Sequence, residues 1–93
     1  MALEQTASGQ WTGEWIIFDE QLSFRGHATT RWTVASKRGV ALGVVRWFSH
    51  WRKYGFFPEP NCVFEQVCLR DIAQFIEERT REHKEARKEV ANA

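Results

Sequence analysis

Few residues of this 93-residue chain could do chemistry, and their spacing argues against most reactions. His27, His50 and His83 are scattered, and Cys62 and Cys68 stand six positions apart rather than in a C-x-x-C clamp. A structural zinc site asks for four well-spaced thiolate or imidazole ligands, so no metal is expected. Ser49-His50 is a nucleophile beside a base, but neighbours in a turn rarely face each other, and an activated nucleophile needs an orienting third group. Gly13, Gly26, Gly39, Gly43 and Gly55 stand singly and read as turn or close-packing residues, not as a phosphate-cradling loop. The pattern offers no catalytic residue and no cofactor site.

The charge map is more informative. The formal net charge is only +1, yet all twelve acids lie outside residues 21–58. That stretch carries Arg25, Arg31, Lys37, Arg38, Arg46, Arg52 and Lys53, so it is +7, interleaved with Phe24, Trp32, Trp47, Phe48, Trp51, Tyr54, Phe56 and Phe57. Lysine and arginine neutralise phosphates, and exposed rings stack bases. A nucleic-acid-binding sheet is therefore one reading. The other places the rings in a core or an interface, with the arginines beside them, snorkelling or paired with the acids of the flanking segments. No RNP, KH or zinc-finger pattern supports the first reading, and the near-equal opposite charge elsewhere favours the second.

The elements that must position these residues follow from periodicity. Residues 1–10 have none and read as a flexible arm. Glu14 to Phe18 is rich in aromatic and β-branched residues, as strands are. Thr29 to Ser36 alternates, with Trp32 and Val34 on one side. Ser36-Lys37-Arg38-Gly39 is a turn in which Gly39 can take a positive φ. Val40 to Phe48 is a strong strand, and the short gap before it makes a hairpin. Tyr54 to Phe57 is extended until Pro58 and Pro60 end it. From about residue 62 to 90 a helix is expected, with Leu69, Ile72, Ala73 and Ile76 as an apolar stripe widened by Cys68 and Phe75. Its second part, Glu77 to Glu89, has five acids, five bases and no large apolar residue, so it should be solvated.

From Arg31 onward the chain resembles a group of short bacterial and phage proteins of the kind carried on mobile elements. The resemblance rests on Arg31-Trp32-Thr33-Val34 and Leu42-Gly43-Val44-Val45-Arg46-Trp47-Phe48. It continues through the Trp-x-x-x-Trp-Arg-x-Tyr-x-Phe-x-Pro run from Trp47 to Pro58 and Cys68 to Ile76. It implies an α+β fold and brings no established activity, so no residue inherits a role from it.

The expectation is one α+β domain over residues 11–93: an antiparallel sheet of three to four strands within residues 11–60, and one long helix across one of its faces. A single helix leaves the other face uncovered, an arrangement that favours self-association, most simply as a twofold dimer. The expected contact surface is Arg46, Trp47, Trp51, Arg52, Lys53, Tyr54 and Phe56, since interfaces are rich in such residues. The leading function is thus a non-catalytic homo-oligomeric binding module. The alternative is nucleic-acid binding through residues 21–58, and a third reading is a small-molecule pocket among the tryptophans. Two cysteines are too few for a disulfide framework, no apolar run nears the roughly 18–20 residues of a membrane span, and residues 1–10 lack a signal pattern. A reduced, cytoplasmic protein without membrane contact is the expectation.

Overall fold

The computed structural model describes residues 3–21 and 30–92, with side chains as far as Lys88; Arg25 and His27 lie outside the described residues. Among the described residues six strands precede one helix: β1 (Glu4–Ala7), β2 (Gln10–Thr12), β3 (Ile16–Gln21), β4 (Arg31–Ser36), β5 (Ala41–Phe48), β6 (Lys53–Pro58) and α1 (Gln66–Asn92). The strands form one antiparallel sheet in chain order. The α+β class is as expected, but the sheet has six strands rather than three to four. The additional pair is a polar hairpin: residues 4–7, expected in a flexible arm, pair with β2, and Leu3 is buried beside them.

Two of the turns have a cause that can be named. Between β4 and β5 the Gly39 N–H donates to the Ser36 carbonyl at 2.9 Å, and Gly39 takes a φ of 91°, which a side chain would strain. Between β2 and β3 the chain passes so close to α1 that a Cβ on Gly13 would lie 2.2 Å from Asp71 Oδ2. There the Asp71 carboxylate accepts a hydrogen bond from the Glu14 N–H at 3.0 Å, anchoring the helix to the turn. Further along, Thr80 Oγ1 accepts from the Tyr54 N–H at 3.1 Å. The helix therefore crosses the sheet from the β2–β3 turn to the β6 edge.

Alternation puts Ile16, Phe18, Trp32, Val34, Val45 and Tyr54 on the face beneath α1, all buried. The helix answers with Ile72 and Phe75. The Phe75 ring stacks on Phe18 at 4.0 Å and meets Trp32 edge-on at 5.2 Å and Trp11 at 6.3 Å, so one side chain joins three strands. The helix is rotated from the expected stripe. Ile72 and Ile76 face the sheet, but Leu69 is 51% exposed and Ala73 is exposed, and their places are taken by Cys68, Phe75 and Arg79. Arg79 is buried because its guanidinium lies flat over Trp11, 4.2 Å from the ring centroid. Its Nε is 3.1 Å from Glu82 Oε1, an ion pair without hydrogen-bond alignment.

Candidate functional site

The seven residues expected to form one contact surface are divided among three places. Tyr54 is buried under the helix, edge-on to Trp32 at 5.3 Å, and burial pushes its hydroxyl above the usual tyrosine pKa. Phe56 shares that face and packs on Phe64. Arg46 lies on the opposite, helix-free face, its guanidinium 3.6 Å from the centroid of the Phe57 ring. Trp51, Arg52 and Lys53 stand exposed at the β5–β6 turn, with Trp51 68% exposed and edge-on to Phe48 at 4.7 Å. Trp47 is half-buried, tilted against His83 of the helix at 4.3 Å.

The expected neutralisation of the basic stretch by helix acids is not what the fold does. Among the described residues the ion pairs are Arg79 with Glu78 and with Glu82, all within α1. Arg46 meets a ring instead of a carboxylate, and Arg52 faces other cations. The chain crosses the β5–β6 turn so that the charged half of α1 returns over it. This forms a cleft of about 670 Å³ lined by Trp47, Ser49, Arg52, His83, Lys84, Arg87 and Lys88. Four of these seven are permanently basic and none is acidic. Arg52 holds a left-handed backbone conformation, φ 53°, at the mouth of the turn. That conformation is unfavourable for a residue bearing Cβ. His83 is pushed below its ordinary pKa by burial and, secondarily, by the charge of Arg87. Its ring is thus held toward the neutral form among the cations.

Lys84, Arg87 and Lys88 were not candidates on sequence. They sit in a run with balanced charge, which looks like a solvated helix, and only their spacing of three and four residues gives one shared face. Elsewhere the nucleophiles are quiet. Burial and the neighbouring Glu65 raise the Cys68 thiol pKa. The Glu65 carboxylate itself caps the helix, accepting from the Cys68 N–H at 2.7 Å, and that bond lowers its pKa. Cys62 lies on the other side of the loop, its Sγ 3.8 Å from the Ala41 carbonyl. His50 is exposed and packs on Phe48.

The fold and the cleft define a small α+β domain with an open six-stranded sheet, one helix and a basic, aromatic-lined notch. No family model, characterised protein or solved structure matches the chain. No helix among the described residues is long and apolar enough to cross a membrane.

Proposed function

We propose that this protein is a non-catalytic binding module that self-associates through the helix-free face of its sheet. One observation carries the reading: Val44, Phe48 and Phe57 share that face, half-buried by their neighbours, and no described strand or helix lies across them. Val44 and Phe57 are direct cross-strand partners, and Phe48 packs against Phe57 at 6.1 Å, so the apolar groups form one strip. On the same face the Arg46 guanidinium lies over the Phe57 ring, and Asp19 stands two strands away in the row of Val44, so the strip carries both signs of charge. A twofold axis through such a strip pairs unlike charges across the interface. Edge-to-edge association through β6 is disfavoured. The outward N–H of Tyr54 is already taken by Thr80, and Pro58 has none to offer.

Size-exclusion chromatography with light scattering at micromolar concentration tests this. The expected mass is that of two chains, falling to one chain in Val44→Glu with an unchanged circular dichroism spectrum. A monomeric parent protein, or a dimer indifferent to both Val44→Glu and Phe57→Glu, would overturn the proposal.

A further inference from the structure

We propose that the cleft between the β5–β6 turn and the second half of α1 holds the phosphate backbone of a single-stranded nucleic acid, with bases stacked on Trp47 at the end of β5 and on Trp51 of the turn that follows. The cleft residues are separate from the helix-free strip, but Trp51 packs on Phe48 of that strip, so Arg87 and Lys88 are the positions that tell the two proposals apart.

Convergence is the first argument. Arg52 comes from the turn and Lys84, Arg87 and Lys88 from a helix more than thirty residues later, yet all four line one cleft with no carboxylate among them. Like charges gathered in this way repel, and an anion in the cleft relieves that repulsion. Among the described residues, Glu82 is held by Arg79, while Glu77 and Glu85 line an adjoining notch that shares Lys84 and Lys88 with the cleft, so Arg52 and Arg87 are the cleft cations with no acid in either lining.

Shape and ring content choose the anion. The helix cations are three and four residues apart, which spaces them about 5–6 Å along one face and suits successive charges of a chain better than a single ion. The cleft is open and larger than one phosphate requires. Trp47 and His83 present rings within it, and Trp51, next to Arg52, is exposed just outside the lining, edge-on to Phe48. A duplex keeps its bases inside and would leave these rings unused, whereas a single strand offers phosphates to the cations and base faces to the rings. A membrane surface would meet the cations but could not enter the notch to reach Trp47.

The test is fluorescence anisotropy of labelled oligo-dT and oligo-U with the whole protein. With four phosphate contacts, log affinity should fall with log salt at a slope of about −2.8, or roughly fiftyfold between about 50 and 200 mM. Arg87→Glu combined with Lys88→Glu, both at exposed helix positions, should weaken binding more than about tenfold and at least halve that slope. Trp51→Ala should weaken it about fivefold or more and leave the slope unchanged. Absence of binding at about 50 mM salt, or binding indifferent to the double reversal in a protein with unchanged melting, would overturn the proposal. So would displacement by an equal concentration of pyrophosphate, or binding confined to phosphatidylserine vesicles.

Discussion

Between Cys68 and Arg79, α1 lays Ile72, Phe75 and the stem of Arg79 on the sheet; beyond Arg81 the same unbroken helix presents Lys84, Arg87 and Lys88 to an open cleft. The first half is held by what it buries. The second is held mainly by its continuity with the first, plus the Trp47–His83 contact, because elongating a formed helix is far easier than nucleating one. Packing thus buys the first half its position and leaves the second half's surface free to carry charge. A helix can extend a rigid, basic arm over a turn distant in sequence without burying an apolar stripe along its whole length.

Breaking the packed half should have the largest effect. Phe75→Ala removes the ring that joins β2, β3 and β4, and should lower the unfolding free energy by about 3–5 kcal/mol in a denaturant titration. A loss below about 1 kcal/mol would mean that the two halves are held alike. Next in size is Asp71→Ala, which leaves the Glu14 N–H without its acceptor and should cost about 1–3 kcal/mol. Asp71→Asn keeps an acceptor and should recover part of the loss. The smallest effect sharpens the rotation of the stripe. Leu69→Ala should change stability by no more than about 0.5 kcal/mol, while Ile72→Ala, three residues on, costs about 2–5 kcal/mol. Equal losses at the two positions would restore the stripe expected from periodicity.

That rotation shows where periodicity stops. Leu69, Ile72, Ala73 and Ile76 make one apolar stripe and Cys68, Ile72, Phe75 and Ile76 another, and the two share two members. Nothing local separates them. The choice falls to Phe75 because Phe18 offers it a parallel ring at 4.0 Å and Leu69 has no such partner. Arg79 concealed the continuation of the true stripe, since a charged residue reads as a break although its flat guanidinium fits over Trp11. The first hairpin was hidden for a related reason: Glu4–Ala7 is wholly exposed, and a strand that buries no side chain of its own leaves no alternation to read.

The strong central strands, the glycine turn at Ser36–Gly39, the proline stop after Phe57 and the single long helix were all legible in the chain. They depend on neighbours within a few residues: alternating side chains, a backbone angle that favours glycine, a missing N–H. The concentration of positive charge in residues 21–58 was equally legible, because composition needs no fold. Which charges meet was not. The excess of acids in the segments flanking residues 21–58 points to neutralisation of the sheet, the balanced run from Glu77 to Glu89 reads as a solvated helix, and neither gives Arg52 or Trp47 its partners. The path of α1 from the β2–β3 turn to the β6 edge brings Lys84, Arg87 and Lys88 to Arg52 instead of the acids. The direction in which a helix crosses a sheet, and its rotation about its own axis, are set by contacts such as Asp71 with Glu14 and Phe75 with Phe18, between residues fifty-seven positions apart. Charge is a property of the sequence, but its meeting places are a property of packing.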